Sequence, residues 1–595
     1  MRFVFLLSSL CIALLASAQD LPRTGLNLTW QNMSFFSSSA ALTDAMKQSS
    51  DWFEELAYPL DEQGYPTALG PGEVAQRALF LETVHYPAGN YTLKWEGKGS
   101  LLISTASGDD FEFGPSSAPE QAIPITEIPN DEGVLLTILE TDPEDPIRNI
   151  QFFLPGYDEQ SSYWTDHFID FHAQFGVTRF AWGSGLYSPQ QHWEDRSRLD
   201  DITWSDSDLF PMENNGLPFE AMVDLANEAG NDLWVCAPVR ADRDFQRRLA
   251  TYLRDHLDPG LRLWIEWGNE YWNCGYWGYE GCVYIEELQA ENGLYRPHNY
   301  AAQALELFED FDSVFTAAGQ RGRLITVLGG QSGNSWELEE STAYIDGLGR
   351  MDEVDVMTIA PYYHGGEPVN EAYATGGLDS VFALLDTMVH HAYHQEGETG
   401  QEWAENFAVA RAYNKPLVAY EGGQHLTSWV GLEPGLSALI NRDERMYGHY
   451  CRYFEAWQAV DVTATFVHFA DIASYNEDEA FALKEYYTQP LSEAPKLRAF
   501  LDCMATPSST EMAPPSDAGL RVFPNPAAGQ LQVYCPANSL FSHIRIVAMD
   551  GRTLLQQPVE RPITRFSLRG IPGGIYWLIA EGASATQVKR FVVEP

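Results

Sequence analysis

The apolar positions of this chain change rhythm along its length. Up to about residue 146 they alternate with polar ones in short runs such as "YTLKWEG" and "SLLIST", broken by Gly, Pro, Asn and Asp. "GVLLTILET" closes that series. Alternation at a period of two marks strands with one buried face, so residues 19–146 are predicted to form an all-β domain, a sandwich. From 147 the runs become continuously apolar and alternate with helical spacing. "IRNIQFFLPG" reads as a first buried strand, "YWTDHFIDFHAQFG" as a helix and "VTRFAWGSG" as a second strand. "DLWVCAPV", "LRLWIEWGNE", "RLITVLGG", "VDVMTIAPYY", "PLVAYEGG" and "VTATFVHFA" continue the count to eight. Strands apolar on both faces and separated by helices imply a parallel sheet. Eight such units over 147–502 predict an α/β architecture, a closed (β/α)8 barrel.

Two further segments frame these domains. Residues 1–18 carry Arg2, the apolar run Phe3–Leu15 and the small-residue site Ala16-Ser17-Ala18, the pattern of a signal peptide. No later run approaches the ~18 apolar residues of a membrane span. Residues 503–518 are rich in Pro, Ser and Thr and read as a linker. Residues 519–595 return to short alternating strands and predict a C-terminal β-sandwich.

Composition narrows the partners. The 595 residues carry 84 acidic against 36 basic side chains, a formal net charge of −48. Such a surface repels phosphate backbones and argues against nucleic acid. Only seven of the basic residues are Lys, a balance shared by salt-adapted proteins and by acidic secreted proteins with no salt requirement. Once Cys11 leaves with the signal, six cysteines remain: Cys236, Cys274, Cys282, Cys451, Cys503 and Cys535. Export permits disulfides, and Cys274 with Cys282, flanking a Gly-rich loop, is the candidate pair.

Barrel enzymes build their sites where the strands end. The fourth predicted strand ends in Gly268-Asn269-Glu270, the sixth in Pro361-Tyr362-Tyr363-His364 and the seventh in Tyr420-Glu421-Gly422-Gly423. Strands four and seven face each other across the mouth, so Glu270 and Glu421 are expected to share one pocket. Paired carboxylates are what glycosidic bond cleavage needs: one protonates the leaving oxygen and the other attacks the anomeric carbon. A separation of ~5–5.5 Å would retain configuration. The loop after Glu270 offers Tyr271, Trp272, Tyr276, Trp277 and Tyr279 as a wall on which sugar rings could stack. Trp267 and Trp272 are expected to desolvate Glu270 and raise its working pKa. The bland alternative is that both carboxylates cap strands or pair with Arg, and that the aromatics are core.

"WIEWGNEYWN" and "PLVAYEGGQH" resemble the acid/base and nucleophile motifs of clan A retaining glycoside hydrolases, over about 147–502. The resemblance implies Glu270 as general acid/base, Glu421 as nucleophile, Asn269 as donor to the sugar 2-hydroxyl and Tyr362 as donor to the nucleophile. Arg179 resembles the clan's strand-two arginine, which lies beneath the nucleophile; a partnership with the lumen-facing Glu266 is the competing reading. Trp272, Trp277 and His364 join the expected substrate-binding set. "VTRFAWGSGLYSPQQHWEDR" with "MVDLANEAGNDLWVCAPVRADRDF" resembles cellulase-like, putative cellulose-binding proteins, which implies a β-linked polysaccharide. "VFPNPAAGQLQV", "AMDGRTLL" and "GIPGGIYWLIAEG" resemble the C-terminal sorting domain of type IX secretion cargo. That implies secretion machinery as a partner and a secreted or cell-surface location.

No cofactor or metal is called for. His390 and His394 in "HHAYH" share a helix face, a solvated arrangement more often than a zinc site. "TDPEDP" at 141–146 and "NEDE" at 476–479 lack EF-hand spacing and read as solvated loops. Two functions fit: a secreted retaining glycoside hydrolase acting on a β-linked polysaccharide, or a glycan-binding protein on a barrel that has lost catalysis.

Overall fold

The structure is a computed structural model. It describes residues 21–504 and 521–593, apart from 54–57, 82–84, 106–107, 127–132, 182–189, 206–215, 275–279, 395–399, 461–463, 524–529, 535–540, 549–551, 560–562 and 583–585. The expected signal peptide, residues 505–518 of the expected linker, and Tyr276, Trp277 and Tyr279 of the expected wall lie outside the described residues; Cys503 and Met504, expected in the linker, instead end the helix Pro495–Met504. The chain divides into two units, 1–505 and 506–595.

Eight parallel strands close a barrel in the first unit. They are Thr24–Asn27, Val177–Phe180, Asp232–Ala237, Leu263–Trp267, Leu324–Gly329, Val356–Ile359, Leu417–Ala419 and Phe466–Phe469. The last pairs with the first, Thr24 opposite Phe466, and the first with the second, Gly25 opposite Val177. Outward side chains such as Leu233, Val235, Ile265 and Leu328 pack under the helices in the main core. Inward ones, including Val177, Trp234, Trp264, Ile325, Val327, Val418 and Val467, form a separate lumen cluster. That split follows from the two-residue period of a strand.

The expected first strand is a correction. Arg148–Phe153 is not in the barrel; it is the edge of a three-stranded antiparallel sheet with Gly89–Glu96 and Glu120–Ile125. Its burial explains why: Ile150 and Phe152 are inside while Arg148 and Gln151 are not fully covered. One covered face belongs to a sandwich, not to a barrel wall. The true first strand is the short "TGLN" at 24–27. Ala75–Phe80, Val134–Thr141, Gly99–Thr105 and Asp110–Phe113 make a four-stranded sheet, and both sheets share one core around Tyr91, Leu93, Ile103, Leu136 and Phe152. The β domain is thus an insertion between barrel strands one and two, and the barrel starts at Thr24.

The second unit holds a three-stranded and a four-stranded antiparallel sheet. Leu531, Val533, Ile544, Ile546, Phe566 and Leu578 form its core. No helix among the described residues is long and apolar enough to cross a membrane.

Candidate active site

The fourth strand runs apolar to Trp267 and then turns sharply. Gly268 and Glu270 both have positive φ, 61° and 45°. A Cβ on Gly268 would lie 2.5 Å from Val239 Cγ1, so glycine is required there. For Glu270 the left-handed conformation costs about 1–2 kcal/mol, strain of the kind held at functional positions. One Glu270 oxygen accepts from the Tyr420 hydroxyl, and Oε2 accepts from Asn273 Nδ2 at 3.1 Å.

Glu421 follows the seventh strand and is buried. The next residue must be small, because a Cβ on Gly422 would meet the Phe466 ring at 2.5 Å. Glu421 Oε1 accepts from Arg179 Nη1 at 2.9 Å and from Asn27 Nδ2 at 3.0 Å. Its Oε2 accepts from the Tyr362 hydroxyl at 3.1 Å. Burial raises the Glu421 carboxyl to about 7; Arg179 pulls it down and the charge of Glu270 pushes it up.

Arg179 satisfies both expectations made for it. Besides Glu421 it donates to Glu266 Oε2 through Nε at 3.2 Å and Nη2 at 2.9 Å, and to Asn269 Oδ1 at 2.6 Å. Glu266 Oε2 also accepts from Trp234 Nε1 at 3.0 Å. Fully buried, Arg179 lies over the Tyr420 ring at 4.7 Å. The network thus ties strand one (Asn27) to strands two, four and seven.

The aromatic wall is only partly as expected. Tyr271 is core: it stacks on Tyr300 at 4.0 Å and donates to Glu337 Oε2 at 2.9 Å. Trp267 points to the helices, packing on Tyr284 and Tyr300, and does not desolvate Glu270 from the lumen. Trp272 is half-buried beside the lumen cluster. His364 is exposed at the rim, its Nδ1 2.9 Å from His425 Nδ1. The short strands Tyr363–His364 and Gln424–His425 pair here, extending the barrel tips.

Cys274 and Cys282 lie at disulfide distance with Cα atoms 5.4 Å apart, beginning the loop that follows Glu270. Cys451 and Cys503 form a second such pair. Among the described residues one group of side chains is compact enough for a metal, Cys274, Cys282 and Glu286, and its thiols are spent on each other. The side chains of His390 and His394 lie outside the described residues. The two acidic loops are structural: Asp145 pairs with Arg148 at 3.0 Å, and Glu479 accepts from Gln31 at 2.8 Å. Sequence reasoning missed Asn27, which sits in a strand of four residues, and His425, four residues beyond Glu421 in the loop that follows it.

Residues 521–594 match the family described as "Secretion system C-terminal sorting domain". This domain marks the chain for secretion to the cell surface or outside. No curated protein matches the chain. Solved structures similar to it include several glycoside hydrolases. A family 51 α-L-arabinofuranosidase from Bifidobacterium longum is 12% identical with a TM-score of 0.38, covering 74% of this chain and 89% of its own. The endo-β-1,4-mannanase from Thermotoga petrophila is 10% identical with a TM-score of 0.30, covering 72% and 93%. The Clostridium thermocellum xylanase 10B is 10% identical with a TM-score of 0.30, covering 74% and 87%. Scores this low carry no argument about activity.

Proposed function

We propose that this chain is a secreted retaining glycoside hydrolase that cleaves a β-linked polysaccharide by double displacement. The observation that carries the reading is the treatment of Glu421. A buried carboxylate accepts from a cationic guanidinium, a phenol and an amide, all onto its two oxygens. These three donors favour the ionised form that a nucleophile needs, against the burial that raises it.

Glu270 is then the acid/base. The reading requires one proton at the site, carried by Glu270. Glu270 donates it to the leaving oxygen while Glu421 attacks the anomeric carbon and forms a glycosyl ester. Glu270 next deprotonates a water that hydrolyses the ester, and the proton returns to it. Asn269 is placed to donate to a sugar hydroxyl, its amide oriented by the Arg179 contact to its oxygen. A donor aimed at the sugar strengthens as charge develops on the ring.

The test is reducing-sugar release from β-glucan, xylan, mannan and galactan, with aryl β-glycosides alongside. The wild type should hydrolyse at least one. Glu421→Gln should lose at least about 10³-fold. Glu270→Ala should lose about 10²–10⁴-fold on the polysaccharide and keep fast formation of the glycosyl-enzyme from a dinitrophenyl glycoside. A wild type that hydrolyses nothing, or a Glu421→Gln variant with full activity, overturns the reading.

A further inference from the structure

Beside Glu421 a run of aromatic rings leads out of the site. Tyr362, the donor to Glu421, lies 5.8 Å from the His425 ring and 6.4 Å from Phe481. Phe481 touches His425 at 5.6 Å, Phe469 at 5.3 Å and Trp429 at 6.2 Å. The run ends at Trp429, which is 56% exposed.

Trp429 stands in a hydrogen-bonded turn. It occupies the single turn Ser428–Val430. Ser428 donates through its N–H to the Asp478 carbonyl at 3.0 Å and through Oγ to Asp478 Oδ1 at 2.6 Å. Leu432 N–H closes the turn onto the Thr427 carbonyl at 3.1 Å. Asn370 clamps its far side, donating to the Gly431 carbonyl at 2.8 Å and accepting from Glu433 N–H at 3.0 Å. An apolar ring is thus held open to water by a stiff frame. A ring prepositioned in this way binds without paying ordering entropy.

The surroundings select the ligand. Next to the rings stands the His364–His425 pair, in which one Nδ1 donates to the other. Burial lowers His425 to about 3, so the imidazole next to the rings is neutral at pH 7. Rings bordered by neutral donors and acceptors suit an uncharged pyranose, with its CH face on the indole and its hydroxyls on the imidazoles.

We propose that Trp429, backed by Phe481 and edged by His425 and His364, is a stacking subsite for a further sugar ring of a neutral polysaccharide whose reacting bond lies between Glu270 and Glu421. The inference rests on the hydrolase reading for its direction but not for its test, which is binding.

Affinity electrophoresis of the full chain in gels holding soluble β-glucan, xylan, mannan or galactan should show retention of the wild type by at least one of them. Trp429→Ala should weaken that retention about tenfold, with Trp429→Phe between the two. Hydrolysis of aryl β-monoglycosides, which are too short to reach Trp429, should stay within about twofold in both variants. Retention through Trp429 by a protein that hydrolyses nothing keeps the subsite and removes the hydrolase reading. A Trp429→Ala variant retained like the wild type, a wild type retained by none of the four, or equal losses on polysaccharide and monoglycoside would each overturn the subsite.

Discussion

The floor and the mouth of the barrel are built from the same strands and differ by a step of two residues. In strand two Val177 gives way to Arg179, in strand three Trp234 to Cys236, and in strand four Trp264 to Glu266. The floor is packed for cohesion: Trp234 and Trp264 stack at 5.0 Å, and Val356, Val418 and Val467 close round them. The mouth is equally buried but polar, with Arg179 at 0% exposure between Glu266 and Glu421. Water would solvate those charges better than the barrel does, and apolar residues of the same volume would hold the fold as well or better. A layer that gives up stability in this way, next to a Glu held at positive φ, is arranged for a task other than folding.

Substitutions can sharpen that contrast. The largest effect is expected from Arg179→Met, which leaves Glu266 and Glu421 buried without their cation. Removing one partner of a buried pair costs about 3–5 kcal/mol, read as a fall in melting temperature together with lost activity. A melting temperature at or above that of the wild type would mean that the mouth is not under electrostatic load.

The next effect is a pH dependence. Glu421 is raised from 4.5 to about 7 in the fold, so between those values the folded chain holds a proton that the unfolded chain has released. Stability contributed by the site is therefore present below pH 4.5 and lost as pH rises toward 7. Glu421→Gln cannot lose it. Its melting temperature should gain on the wild type across that window, by the equivalent of about 3 kcal/mol at most. Parallel curves would contradict the burial argument. On the floor, Ile325→Val should cost about 0.5–1.5 kcal/mol and leave kcat unchanged; a loss of kcat would show that floor and mouth are not separable. The smallest effect is expected from ending the chain after residue 505, the boundary between the two units. Specific activity on soluble substrate should be unchanged, and a folded but inactive shortened chain would join the sorting domain to the enzyme.

Barrel strands two to eight were legible because their residues are buried on both faces and all but the eighth are followed by Gly or Pro. The first was not. "TGLN" is too short to carry a period, and "RNIQFF" is an equally good strand that belongs to another sheet. An insertion between strands one and two separates neighbours in space by about 150 residues, from Asn27 to Val177, and no local pattern reports that. Glu266, Glu270 and Glu421 were readable from parity and strand ends, and Arg179 from the motif resemblance. Asn27 was hidden with its strand. Tyr271 looked like part of a sugar wall, and Trp267 like an apolar neighbour of Glu270, because aromatic residues near a site and aromatic residues under a helix are written alike; only the turn at Gly268 decides which way they face. Trp429 carried no signal in sequence, since its exposure is set by the clamp from Asn370 and Asp478.

The central claim is that Glu421 is the group that attacks the anomeric carbon. Its most direct measurement is chemical rescue of Glu421→Gly by azide, with a dinitrophenyl β-glycoside of the sugar that the wild type hydrolyses. The variant alone should be inactive. Azide, filling the space of the lost carboxylate, should restore turnover and give a glycosyl azide of inverted, α configuration. Rescue of Glu270→Ala to a β azide would then mark the opposite face. A Glu421→Gly variant that keeps wild-type activity, or one whose azide product retains the β configuration, would contradict the assignment.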